Sequence, residues 1–87
     1  MKIKDGFILR KVGIQYVVAA TGKASEGFNG MMRLNETGAF AFRLLQEGIS
    51  EEALVRQVTE EYDVPPEAAQ RDLQAFLKKL KEAEALV

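Results

Sequence analysis

Residues 31–45 read MMRLNETGAFAFRLL, and within this stretch the chain changes from a short strand to a helix. Asn35 is a good N-cap, because its side-chain oxygen can accept a hydrogen bond from a free N–H of the first helical turn. Glu36 follows at the positive end of the helix dipole. The helix body is apolar on nearly every side, which predicts a buried central helix, and Gly48 is the type of residue that ends one.

Upstream of this stretch the sequence favours β-strands. Segments 7–12, FILRKV, and 14–20, IQYVVAA, are rich in β-branched and aromatic residues, and only Gly13 separates them. A tight hairpin turn is therefore expected between the two strands. Residues 21–30 have the composition of a loop, in which we expect Phe28 to pack against the core.

Downstream, the sequence predicts two more amphipathic helices. Ser50 is the expected N-cap of the first, and the short connection 48–50 is typical of a helix-turn-helix. Pro65 and Pro66 begin the last helix, where the missing N–H of proline does no harm. Three short antiparallel strands followed by three helices predict an α+β fold of winged helix-turn-helix type, with residues 1–87 forming a single domain.

The composition excludes several classes of function. The 87 residues contain neither cysteine nor histidine, which removes the commonest metal ligands and nucleophile–base pairs. Twelve basic and thirteen acidic residues give a net charge of −1, without the basic excess of most nucleic-acid-binding domains. We expect no catalytic residues, no metal and no cofactor. Without a signal-peptide pattern or a bilayer-spanning stretch, the expected location is cytoplasmic.

One run of residues resembles a family signature. Residues 27–40, GFNGMMRLNETGAF, are similar to the signature of the PqqD-like family, named for coenzyme PQQ synthesis protein D, and LNETGA is its most specific part. Segments 44–48, LLQEG, 60–64, EEYDV, and 72–80, DLQAFLKKL, fit the same pattern. The resemblance therefore extends from about Phe7 to the end of the chain.

The resemblance implies a function in the synthesis of peptide natural products, such as PQQ biosynthesis or lasso-peptide maturation. Members of the family are recognition elements for ribosomally synthesised, post-translationally modified peptides (RiPPs). They bind the leader segment of a precursor peptide and present it to a tailoring enzyme, which is a radical S-adenosylmethionine (SAM) enzyme or a leader peptidase. The leader is expected to add as an antiparallel strand to the third strand, in a cleft beside the last helix.

A binding site of this kind has a physical basis in the predicted fold. The third strand has an open edge, and strand addition takes its affinity from backbone hydrogen bonds and its specificity from side-chain pockets. Met32 and Leu34 are expected to share the core-facing side of this strand, because side chains alternate with a period of two. The predicted peptide-binding residues are Met31, Met32, Arg33, Leu34, Leu73, Gln74, Leu77, Lys78 and Lys81.

Two points remain open from the sequence. The flank of the last helix with Gln74, Lys78 and Lys81 is our expected wall of the cleft, where lysines would meet acidic leader residues, but the flank with Asp72 and Lys79 is nearly equivalent. An open edge also permits pairing of two copies into a homodimer.

The alternative function is that of a winged-helix DNA-binding protein. It would use the basic residues of the last helix, which acidic neighbours offset. We therefore expect a peptide and a tailoring enzyme as partners, and neither nucleic acid nor a membrane.

Overall fold

The computed structural model describes residues 1–27 and 30–87. This part contains three strands, β1 (Phe7–Val12), β2 (Gln15–Ala20) and β3 (Met31–Leu34). It also contains four helices, α1 (Ala24–Gly27), α2 (Glu36–Glu47), α3 (Glu51–Tyr62) and α4 (Pro66–Glu82). The predicted α+β order, with an antiparallel sheet before the three long helices, is confirmed.

Two details differ from the sequence prediction. The segment 21–30, predicted as a loop, contains the single helical turn of α1, where the Ser25 hydroxyl donates to the carbonyl oxygen of Gly22 at 2.6 Å. Ile14 belongs to the hairpin turn and not to β2, because the pairing of the two strands ends at the residues on either side of the turn. The expected packing of Phe28 lies outside the described residues, as do positions 28 and 29 of the signature.

The sheet has the order β1-β2-β3, with antiparallel neighbours and β2 at its centre. Gly13 adopts a φ of 65° in the hairpin turn, a conformation that glycine reaches without steric cost. β3 pairs with β2 through Val18–Met32 and Tyr16–Leu34. Among the described residues no strand lies on the other side of β3, so β3 is an edge strand with unpaired backbone groups.

Side chains of the sheet alternate between an inner and an outer face. Phe7 and Val18 are buried on the inner face. Met32 and Leu34 are partly buried on the same face, packed against the core. The prediction that these two residues of β3 share the core-facing side is confirmed, and Met31 points the other way with 71% of its surface exposed.

Hydrogen bonds at the helix ends explain why the helices begin and end where the sequence predicts. The Asn35 side chain accepts a hydrogen bond from the N–H of Gly38 at 2.7 Å, and Gly48 ends α2 with a φ of 98°. Ser50 caps α3 in the same way, by accepting from the N–H of Ala53 at 3.2 Å. The buried residues of α2 are Ala39, Ala41, Phe42 and Leu45. α2 is therefore the buried central helix.

The two ends of the described chain meet beside α2 and α4. The N–H of Ile3 donates to the carbonyl oxygen of Leu45 at 2.9 Å, and the N–H of Lys4 donates to that of Ala85 at 2.7 Å. These bonds hold the segment after α4 close to the segment that precedes β1. Within residues 1–27 and 30–87, no helix combines the length and the apolar character needed to cross a membrane.

Candidate functional site

A groove of about 270 Å³ lies between the end of β3 and one side of α4. Arg33, Leu34 and the first turn of α2 form its strand-side wall. One flank of α4 forms the opposite wall, with Asp72, Phe76 and Lys79 among its residues. The groove therefore adjoins the strand whose outer edge carries unpaired backbone groups.

The floor of the groove is apolar and is shared with the core. Val58, Ala69 and Leu73 are only 1%, 3% and 3% exposed, yet all three line the groove. They come from α3 and α4, which pack against each other. A side chain that enters the groove therefore contacts the hydrophobic core directly, and burial of apolar area there is favourable by about 25 cal/mol per Å².

Charged residues stand at the rim. Arg33, Asp72 and Lys79 are exposed and line the groove. Asp72 and Lys79 lie seven positions apart on α4, which places them about two turns apart on the same flank of the helix. Neither the carboxylate of Asp72 nor the ammonium group of Lys79 forms an ion pair with a described residue, so both groups are available to a ligand.

Tyr62 closes the groove where α3 ends. Its hydroxyl donates to the carbonyl oxygen of Glu36 at 3.3 Å, and the ring of Phe40 meets its own ring edge-on at a centroid distance of 5.5 Å. Burial raises the pKa of Tyr62, and so do the nearby charges of Glu36 and Glu61. The neutral hydroxyl therefore persists at physiological pH and continues to link the end of α3 to the start of α2.

Gly38 explains one residue of the LNETGA motif. A Cβ atom at this position would lie 3.2 Å from Asn35 Oδ1 and 3.3 Å from the Cβ of Leu34. The cap of α2 and the last residue of β3 therefore pack closely around a position that has room for glycine. The motif thus encodes the junction of β3 and α2, which forms the strand-side wall of the groove.

The model of one protein family, coenzyme PQQ synthesis protein D (PqqD), matches residues 15–86. The chain belongs to the PqqD family. Its fold is also that of solved structures. TbiB1 in complex with the TbiA(beta) leader peptide is 28% identical, with a TM-score of 0.76 over 99% of this chain and 94% of that one.

A second similar structure is lasso peptide synthetase B1 complexed with the leader peptide. It is 25% identical, with a TM-score of 0.70 over 93% of this chain and 89% of that one. No curated protein matches the chain. PqqD-family proteins of this kind are recognition partners that bind precursor peptides for tailoring enzymes.

The structure brings only some of the predicted peptide-binding residues of this PqqD-family chain together. Arg33, Leu34 and Leu73 line the groove. Met31 and Met32 lie on the same edge strand, outside the lining of the groove. Leu77, with 2% exposure, is a core residue and does not line the groove.

The two flanks of α4 differ in their position relative to the groove. Gln74, Lys78 and Lys81 are exposed on the flank that faces away from the groove, and the alternative flank with Asp72 and Lys79 lines it. Both flanks border the same buried stripe, so the helical period alone does not distinguish them. Phe76 is the sequence feature that distinguishes the two flanks, because it is the one large apolar residue on either of them.

A second surface feature is the outer face of the sheet. Val12 and Met31 are 61% and 71% exposed, and Ile14 at the tip of the hairpin is 94% exposed. Arg10 and Arg33 share this face, because both pair with the same residue of β2. No acidic residue occupies an outward position of β1, β2 or β3. The face is therefore apolar and positively charged, in contrast to the net charge of −1 of the whole chain.

Within residues 1–27 and 30–87, no three or more acidic side chains are grouped as metal ligands would be.

Proposed function

We propose that this chain binds the leader segment of a ribosomally synthesised precursor peptide and presents it to a tailoring enzyme. The observation that carries the proposal is the free edge of β3 beside an apolar groove, in a fold shared with two leader-peptide complexes. The leader would form a fourth, antiparallel strand on β3. The first contact would occur in the cytoplasm, because ribosomes make the precursor there.

The groove and the edge contribute different parts of the binding free energy. Backbone N–H and C=O groups of Met31 to Leu34 supply hydrogen bonds that any extended peptide can use. An inward-pointing side chain of the bound peptide would contact Leu34, Leu73 and Phe76, which gives selectivity for an apolar residue at that position. We expect a dissociation constant between nanomolar and micromolar, or about −8 to −12 kcal/mol.

The predicted site residues take different roles in this proposal. Met31, Met32, Arg33 and Leu34 form the docking strand. Leu73 forms the floor, with Leu77 behind it in the core. Gln74, Lys78 and Lys81 stand on the far flank of α4, which makes them suitable control positions.

Backbone NMR tests the docking site directly. A synthetic peptide with the leader sequence of the precursor gene nearest to the coding sequence of this chain would be titrated into the ¹⁵N-labelled protein. We expect large shifts of the amide signals of Met31 to Leu34, and of Phe76 and Lys79 on α4. Saturable binding with unmoved signals in β3 would contradict strand addition. A salt-dependent shift of duplex DNA in a gel would favour the DNA-binding alternative instead.

We further propose that the tailoring enzyme contacts the outer face of the sheet. This face adjoins the edge at which the leader would be added, so an enzyme bound there would reach the peptide. Interfaces are enriched in methionine and arginine, and the exposed Met31, Arg10 and Arg33 fit a partner surface with apolar groups and carboxylates. Two copies of this chain packed by their outer faces would bring four arginines together without an acidic partner, which disfavours such a dimer.

Edge-to-edge pairing through β3 is the remaining route to a homodimer. It would occupy the same backbone groups as the leader. Sedimentation of the protein with and without peptide therefore distinguishes the two states, because a dimer formed through β3 should dissociate when the peptide binds.

The proposed role is recognition without catalysis. Mass spectrometry of the leader peptide after incubation with this protein alone should show an unchanged mass. Conversion of the peptide in the absence of any other enzyme would contradict this part of the proposal.

A further inference from the structure

The helix-side wall of the groove runs in the opposite direction to β3. α4 begins close to the end of β3, because Tyr62, just before α4, is hydrogen-bonded to the carbonyl of Glu36, just after β3. α4 ends at the other end of the sheet, where Ala85 accepts a hydrogen bond from Lys4, close to the start of β1. That start pairs with the end of β2, which in turn lies beside Met31.

This arrangement determines the order in which an added strand would meet the two charged residues of α4 at the rim. An antiparallel strand on β3 runs from the Leu34 end to the Met31 end, which is also the direction of α4. Its first residues would therefore pass Asp72, and its later residues would pass Lys79. The two charged residues are about 10 Å apart along the helix, which corresponds to about three residues of extended chain.

The alternation of side chains along the added strand further restricts which residues of the peptide can reach Asp72 and Lys79. Residues of the peptide opposite Leu34 and Met32 would point toward α4, because those two side chains face the core. The residue between them would point outward, beside Arg33. The carboxylate of Asp72 and the ammonium group of Lys79 therefore meet alternate residues of the peptide, and both charges are free of ion pairs with described residues.

We propose that Asp72 and Lys79 select the charge order and the direction of the bound peptide. The preferred ligand carries a basic residue at the inward position near Asp72. It carries an acidic residue two or four positions later, near Lys79, because only an even separation keeps both side chains on the inward face. The inference rests on the proposed antiparallel binding of a peptide at β3 and adds which charges the preferred peptide carries and in which order.

A display selection tests this without a known ligand. A random library of peptides of about 12 residues, long enough to form a strand, would be selected on the wild-type protein and on the D72K/K79D variant. The exchange leaves the net charge unchanged. K78E/E82K is the matched control, since it also keeps the net charge and exchanges two exposed residues of α4 that do not line the groove.

The wild-type protein and the control should enrich peptides with a basic residue before an acidic one. D72K/K79D should enrich the reverse order. Each exposed charge contact is expected to contribute about a two- to fivefold preference, and high salt should reduce the preference. Selected peptides, synthesised with a fluorescent label, should bind the three proteins in a fluorescence-polarisation assay with the same order of affinities as in the selection.

The outcomes separate the two proposals. Selected peptides that bind at β3 without a charge order, or whose order does not change in D72K/K79D, would overturn the role of Asp72 and Lys79. An acidic residue before a basic one on the wild-type protein would overturn the direction. If no peptide is enriched on any of the three proteins and the cognate leader also fails to bind, the proposed function itself would be overturned.

Discussion

Replacing Phe76 by alanine should weaken leader binding, because Phe76 is the large apolar residue on the groove-facing flank of α4. The side chain is only partly buried in the free protein, where it packs against the core. A bound peptide would cover the remaining exposed part of the ring. A whole phenylalanine side chain can bury roughly 150–250 Å², so the peptide would cover about 50–80 Å² of it.

At about 25 cal/mol per Å², this area corresponds to a loss of roughly 1.3–2 kcal/mol in binding free energy. The dissociation constant of the leader should therefore rise by about 8- to 30-fold. The fold should survive, because the side chain is not fully buried and its removal costs less than the roughly 3–5 kcal/mol typical of a core phenylalanine. Isothermal titration calorimetry with the leader peptide measures the change in the dissociation constant, and thermal unfolding measures the loss of stability.

Gln74→Ala is the matched control for Phe76→Ala. It changes an exposed residue two positions away on the opposite flank of α4, and the dissociation constant should change less than about twofold. A folded Phe76→Ala variant with wild-type affinity would refute the assignment of the groove. Loss of affinity in a triple alanine variant of Gln74, Lys78 and Lys81, with no loss in Phe76→Ala, would place the peptide on the other flank.

Four further predictions test other parts of the structure. Met32→Pro should abolish leader binding in a chain that remains folded, since proline disrupts the edge ladder; unchanged affinity by calorimetry would exclude β3 as the docking strand. Asn35→Ala should lower the free energy of unfolding by about 1 kcal/mol in urea titrations, because it removes the cap of α2; an unchanged value would show that the cap does not stabilise the protein. The pKa of Tyr62 is raised in the folded protein, so the stabilising contribution of Tyr62 is complete below the ordinary pKa of 10.0 and is lost as pH rises through the folded-state pKa. Wild type should therefore lose more stability above pH 10.0 than Tyr62→Phe. Identical unfolding curves of the two proteins at alkaline pH would contradict this role of Tyr62. The double variant Val12→Thr and Ile14→Ser should bind the leader as wild type does but bind the tailoring enzyme more weakly in surface plasmon resonance, and equal enzyme binding would remove the outer face from the interface.

The two surfaces that we propose for the leader and the tailoring enzyme meet at β3. Its inner face and its open edge adjoin the groove, whereas its outer face, with Met31 and Arg33, is continuous with the exposed face of the sheet. A peptide added to β3 would present alternate residues to both surfaces. An enzyme on the outer face could therefore detect whether the leader is bound.

Local features of the fold were predictable from the sequence. The bounds of β1 and β3 follow runs of β-forming residues in the sequence. The caps Asn35 and Ser50 and the helix end at Gly48 depend on contacts between residues close in the chain. The family resemblance was also carried by sequence alone, through the LNETGA motif. The turn of α1 was not predicted, because a segment with so many small and polar residues has the same composition in a loop as in one helical turn.

The identity of the groove wall was decided by the tertiary structure. The stripe of Ala69, Leu73, Leu77 and Leu80 shows which side of α4 is buried, but two polar flanks border that stripe and both carry lysines. Which flank faces β3 depends on the direction in which α4 packs beside the sheet, set by contacts between residues far apart in sequence such as Tyr62 with Glu36. Helical periodicity describes one helix at a time, so it could not contain this information.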